Sequence, residues 1–173
     1  MKAGSLKEFI SKEEIELAVQ KLASHINKDY QNKAIILVGV LKGSFIFLAD
    51  LIRQLNMTVE VDFVRLSSYQ NEKKSTGTVV ITKDIETSIT GKHVLIVEEI
   101  LDSGRTLDFL TKRFRANAPA SVKICVLLDK KDQRVVPVEA DYVGIKIENK
   151  FVIGYGLDYQ EKYRNLSSIF YVK

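Results

Sequence analysis

The chain has 173 residues, 46% hydrophobic and 28% charged, with two prolines and one cysteine, which suits one buried core and excludes a disordered chain, a collagen-like repeat or a disulfide scaffold. The net charge of +4 permits anionic ligands, but the basic residues are spread along the chain and do not form an arm, so nucleic acid is not an expected partner. The lone Cys125, apolar runs too short for a bilayer and an N-terminus without an apolar signal core point to a cytoplasmic protein with no membrane partner.

Ser11 and Glu14 form a capping-box pattern, and Ile15, Ala18, Leu22 and Ile26 recur at three to four residues, which predicts a helix from about Ser11 to Asp29. Ala34 to Val40 is a continuous apolar run, expected of a strand covered on both faces. Lys42-Gly43-Ser44 ends it, and Phe45, Leu48, Ala49 and Ile52 then resume helical spacing. From Thr58 to Leu66, Val59, Val61 and Phe63 alternate with Glu60 and Asp62, which predicts a strand with one wet face. The stretch SSYQNEKKSTGT, residues 67–78, has no apolar period and predicts a mobile loop. Strands are expected at Val79 to Ile81, His93 to Val97 and Ser121 to Leu128, with a helix at Thr106 to Arg115. Short strands at Tyr142 to Ile147, Phe151 to Tyr155 and Ile169 to Val172 would complete a mixed sheet, giving one α/β domain over residues 1–173.

The segment VLIVEEILDSGRTL, Val94 to Leu107, does not read as ordinary packing. A buried strand leads into Glu98 and Glu99, then Asp102, then a small turn carrying Ser103, Gly104 and Thr106. In open α/β sheets ligands collect outside the carboxyl ends of parallel strands. A helix starting near Arg105 would aim its free backbone N–H groups at that turn, and Gly104 would let the backbone approach an anion. Ser103 and Thr106 offer hydroxyl donors, the two glutamates offer hard oxygen ligands for magnesium or ribose hydroxyls, and Asp102 is left for acid or base work. The plainer reading, in which Asp102 or Ser103 caps the helix and the glutamates are solvated, fits each residue singly but not all of them within nine positions. The GxxxxGK[ST] and GxGxxG patterns are absent.

This segment resembles the phosphoribosyl pyrophosphate motif of the type I phosphoribosyltransferases. Leu41-Lys42-Gly43, Ser68-Tyr69, Lys130, KFVIGYGLDY and Tyr163-Arg164-Asn165-Leu166 are similar in order and spacing to the hypoxanthine-guanine branch of that family. The resemblance covers nearly the whole chain. It implies a mainly parallel twisted sheet flanked by helices, a small hood and a flexible lid at about 67–78. It also implies transfer of a phosphoribosyl group from phosphoribosyl pyrophosphate to hypoxanthine or guanine, with magnesium, forming pyrophosphate and a purine nucleotide in a dimer or tetramer. The alternatives are a xanthine-preferring transferase and an RNA-binding regulator that kept the fold.

By the same resemblance Asp102 is the general base near purine N7, and Ser103, Gly104, Arg105 and Thr106 hold the 5'-phosphate. Glu98 and Glu99 face ribose and magnesium; the family has Glu-Asp there, so Glu99 reaches one methylene further. Asp158 binds a second magnesium, while Lys42, Gly43 and Arg164 hold pyrophosphate, sometimes through a cis peptide. Lys130 donates to the 6-oxo oxygen, Phe151 stacks on the base, the Val152 backbone reads its edge, and Ser68 and Tyr69 close over the reaction.

Overall fold

The computed structural model describes residues 6–68 and 79–172, and most of the expected lid, Tyr69 included, lies outside them. In chain order the elements are β1 (Leu6–Ile10), α1 (Lys12–Asp29), β2 (Ile35–Leu41), α2 (Phe45–Ile52), β3 (Val59–Ser68), β4 (Val79–Lys83), β5 (His93–Leu101), α3 (Arg105–Arg115), β6 (Ser121–Asp129), β7 (Tyr142–Lys146), β8 (Val152–Ile153) and β9 (Ile169–Val172). Six strands form one sheet in the order β4-β3-β2-β5-β6-β7, parallel except for the edge pair β3–β4. Strands β1, β9 and β8 form a second, antiparallel sheet. The second sheet corrects the expectation of one mixed sheet. Strand β8 is two residues long, and β1 (LKEFI) has two charges in five positions; neither carries a legible period, and pairing to β9 is what makes them strands. Among the described residues, no helix is long and apolar enough to cross a membrane.

The uninterrupted apolar runs follow from the sheet's position between two cores. Successive residues of a strand face opposite sides. Leu37, Leu95, Cys125 and Leu127 therefore join the core with the buried residues of α1 and α2, while Ile36, Val38, Val94, Ile96 and Val126 join the core with Leu107, Leu110 and Phe114 of α3. Helix α1 starts at the expected capping box: Ser11 Oγ accepts the Glu14 N–H at 3.2 Å, and Glu14 Oε2 accepts the Ser11 N–H at 2.8 Å. Cys125 lies in this core with its thiol pKa pushed up by burial, so it packs as a small hydrophobe.

Strand β3 reverses one expectation. The alternation predicts Val61 inward and Asp62 in water, yet Val61 is 38% exposed and Asp62 only 8%. The reason is hydrogen bonding: Asp62 accepts backbone N–H groups from Phe63 at 2.7 Å and from Glu86 and Thr87 at 2.8 Å each, pinning the link between β4 and β5. Burial alone would raise its pKa, but these donors outweigh burial and hold it below the usual carboxylate range. A depressed folded pKa contributes stability that is present above the unfolded value of about 3.9 and is lost as pH falls through the folded value. Asp62→Asn is therefore expected to cost about 1–3 kcal/mol at pH 7, and the gap to the wild type should close in strong acid. Urea unfolding at pH 7 and pH 3 measures this; an equal gap at both would remove the charge from the explanation.

Candidate active site

Strand β5 does not stop at Val97. Its ladder with β6 continues through Glu98↔Val126, Ile100↔Leu128 and Leu101↔Asp129, so Glu98 and Glu99 stand on a paired strand and not in the predicted loop. The apolar run ends where the carboxylates begin, which is why the pattern in the sequence cuts the strand short. Glu98 is buried, and its pKa is raised by that burial and then by the neighbouring Glu99 carboxylate. The Glu99 pKa is raised by burial too, although Arg164 opposes the shift, and its Oε2 is buried without a partner.

Beyond β5 the chain turns through Asp102, Ser103 and Gly104 into α3. Gly104 is the residue before the helix, at φ 84, and has no side chain to cap it; Ser103 Oγ accepts the Arg105 N–H at a long 3.5 Å. A Cβ at Gly104 would press on the Val136 carbonyl and the Val138 side chain, so glycine is required by space as well as by dihedral. The first backbone bond of this turn is Asp108 N–H to the Gly104 carbonyl, at 2.9 Å; the N–H groups of Thr106 and Leu107 precede it and point out of the helix end. They open on a cavity of about 240 Å³ bounded by Glu98, Glu99, Asp102, Ser103, Thr106 and Leu107 among others. Arg105 is exposed at its rim.

A second group assembles around the loop after β2, whose Leu41–Lys42 peptide bond is cis. Lys42 pairs with Glu161 at 2.9 Å, and Arg164 pairs with Asp158 at 2.8 Å and with Glu161 at 3.2 Å while donating to the Gly156 carbonyl at 2.7 Å. Gly156, at φ 96, backs directly onto the Gly43 carbonyl, and the Glu99 carboxylate lies against Gly43 from the other side. Glu99 thus touches both groups, the cavity and the Gly43 loop. In the sequence neither Gly156 nor Glu161 stands out by itself, since Gly43 and Lys42, which they meet across the fold, lie more than a hundred positions away.

The third group is Lys130 and Asp102. Lys130 is 7% exposed just past the end of β6, and its Nζ lies 3.6 Å from Asp102 Oδ2, while Asp102 Oδ1 is buried with no hydrogen-bond partner among the described residues. Phe151 precedes β8, 56% exposed and edge-to-face with Tyr159 at 5.9 Å, so it is not a core residue; Val152 is buried. Ser68 ends β3, and Tyr69 lies outside the described residues.

The family model for the phosphoribosyl transferase domain matches residues 5–160. The chain belongs to the phosphoribosyltransferase family. This phosphoribosyltransferase is 48% identical over 163 residues to the hypoxanthine-guanine phosphoribosyltransferase of Streptococcus pneumoniae, covering 94% of this chain and 91% of that one. It is 45% identical over 169 residues to that of Bacillus subtilis, covering 98% and 94%. Among solved structures, a hypoxanthine-guanine phosphoribosyltransferase from Bacillus anthracis superposes with a TM-score of 0.92 at 46% identity, covering 96% of this chain and 98% of that one. The α/β fold with its mainly parallel sheet is thus the phosphoribosyltransferase fold.

Proposed function

We propose that this protein is a cytoplasmic purine-salvage enzyme that transfers the 5-phosphoribosyl group of phosphoribosyl pyrophosphate to hypoxanthine or guanine, giving IMP or GMP and pyrophosphate. The observation that carries the reading is the Lys130–Asp102 pair beside the N-terminus of α3. Lys130 can only donate, so it suits a 6-oxo oxygen and not the amine of adenine, while Asp102 within the same reach suits a proton at N7. Ser103, Gly104, Arg105 and Thr106 with the helix N–H groups suit a phosphate monoester. Lys42, the Gly43 backbone and Arg164 suit the departing pyrophosphate, where the guanidinium can fork onto two oxygens. Phe151, already exposed, suits stacking on the base, with the Val152 backbone at its edge, and Ser68 and Tyr69 are assigned the closing role by resemblance alone.

Magnesium fits the residues present. Glu99 keeps a buried carboxylate oxygen with no partner, and burial raises the pKa of both Glu98 and Glu99, which is the setting a hard cation relieves. Glu98 and Glu99 would hold one ion and Asp158 a second, each completed by substrate oxygens. When bound, magnesium neutralises phosphate charge as the pyrophosphate leaves. Assembly as a dimer or tetramer belongs to the same reading.

The test is nucleotide formation from phosphoribosyl pyrophosphate with hypoxanthine, guanine and xanthine side by side, with and without chelator. Turnover with the first two, lost on chelation and restored by magnesium, is expected. No product with either sinks the reading, and faster turnover with xanthine would move it to a xanthine transferase.

A further inference from the structure

Three successive carbonyls at the turn that carries the proposed base, those of Leu101, Asp102 and Ser103, are held by one segment, residues 130–136. The Leu101 carbonyl accepts the Lys130 N–H at 2.9 Å, and the Ser103 carbonyl accepts the N–H groups of Val135 and Val136 at 2.9 and 3.1 Å. Between them the Asp102 carbonyl accepts Arg134 Nε at 3.0 Å, with Arg134 Nη2 3.5 Å from the Leu101 carbonyl. Arg134 is itself tied down by the Asp129 carboxylate at the end of β6 and by the Val138 carbonyl. Both members of the Arg134–Asp129 pair are nearly enclosed, at 13% and 12% side-chain exposure. The Arg134 side chain also fills the space beside Gly104. One side chain therefore touches the carbonyl of Asp102, the carbonyl before it and the wall of the glycine after Ser103, holding the cavity's lining from behind without itself lining the cavity.

We propose that Arg134 is a positioning residue for phosphoribosyl transfer: through its fork onto the Leu101 and Asp102 carbonyls it sets where the Asp102 carboxylate and the anion-facing turn stand. The assignment of a task to Asp102 and the turn rests on the function proposed above; the bracing itself does not. A planar guanidinium presents several donors in fixed directions, whereas an ammonium is a single point of charge, so lysine keeps the ion pair with Asp129 but cannot hold two carbonyls and an acid together. Displacing a reacting group by about 1 Å costs on the order of a hundredfold in rate. The purine contacts of Lys130 and Phe151 do not run through Arg134, so binding of the base should move little.

The experiment compares wild type with Arg134→Lys by steady-state kinetics, thermal unfolding and amide hydrogen exchange. The expected result is a kcat lowered about ten- to a hundredfold with KM for hypoxanthine within about threefold, together with at least tenfold faster exchange at Val135 and Val136. A folded Arg134→Lys protein with kcat within twofold of wild type overturns the proposal, as does a loss that matches the unfolded fraction, because a purely structural ion pair would move stability alone. Should Arg134→Lys fail to fold, Asp129→Asn, which keeps the guanidinium but loosens its anchor, takes its place with the same two criteria. If wild type makes no nucleotide with any oxopurine, the function proposed above fails, and exchange at Val135 and Val136 decides the bracing alone: unchanged rates overturn it.

Discussion

Asp102→Asn is expected to lower kcat by about two to four powers of ten, the usual worth of a positioned acid or base, while KM for phosphoribosyl pyrophosphate stays within a few-fold. The side chain is 48% exposed, and among the described residues its only ion pair is the 3.6 Å approach to Lys130, so the substitution removes little that holds the fold. The anion-facing elements, the N–H groups of α3 and the Ser103 and Thr106 hydroxyls, do not pass through the Asp102 carboxylate. Asparagine keeps the shape and one oxygen but cannot take up and return a proton. Single-turnover measurement of nucleotide formation separates chemistry from product release. Turnover close to wild type would take Asp102 out of the proton-transfer role and leave it as a partner for Lys130.

Gly156→Ala should be strongly damaging for so small a change. At φ 96 the residue sits where L side chains are rarely found, and a Cβ there would run into the Gly43 carbonyl, a backbone atom that no rotamer change can move aside. The dihedral costs about 1–3 kcal/mol, and the overlap adds about 1–3 kcal/mol of the kind seen on overpacking. Relief can come only by pushing the Gly43 loop away, and with it Lys42, or by pulling the Gly156 carbonyl off Arg164. The expected outcome in urea unfolding is a loss of about 2–6 kcal/mol, with KM for phosphoribosyl pyrophosphate raised at least tenfold and KM for hypoxanthine less affected. Unchanged stability with unchanged KM would mean that the two loops do not depend on each other's position.

The three groups of the site were legible to different depths, and the difference tracks how local the chemistry is. The anion-binding turn could be read because its parts sit within nine residues: strand, acids, Gly104 and helix start need no distant partner to be recognised. Lys130, Phe151 and Arg164 were reached through the resemblance, since a lysine after a strand or an aromatic in an apolar run looks like any other. Asp62 departs from the pattern because alternation reports polarity and cannot see that the backbone N–H groups of Glu86 and Thr87, joined by that of its own neighbour Phe63, will receive the carboxylate. Arg134, in the run KKDQR, reads as one more solvated charge; only its enclosure by carbonyls from two strand ends sets it apart.

By itself the sequence determined the elements and the chemistry carried at one strand end, because helix capping, strand alternation and an anion nest are fixed by neighbours a few residues apart. The tertiary structure alone decided that β1, β8 and β9 leave the main sheet, that Lys42 meets Glu161 across 119 positions and that Gly156 rests on Gly43. Such contacts depend on how sheets and loops pack after the local elements have formed, and packing of that range leaves no period in the chain.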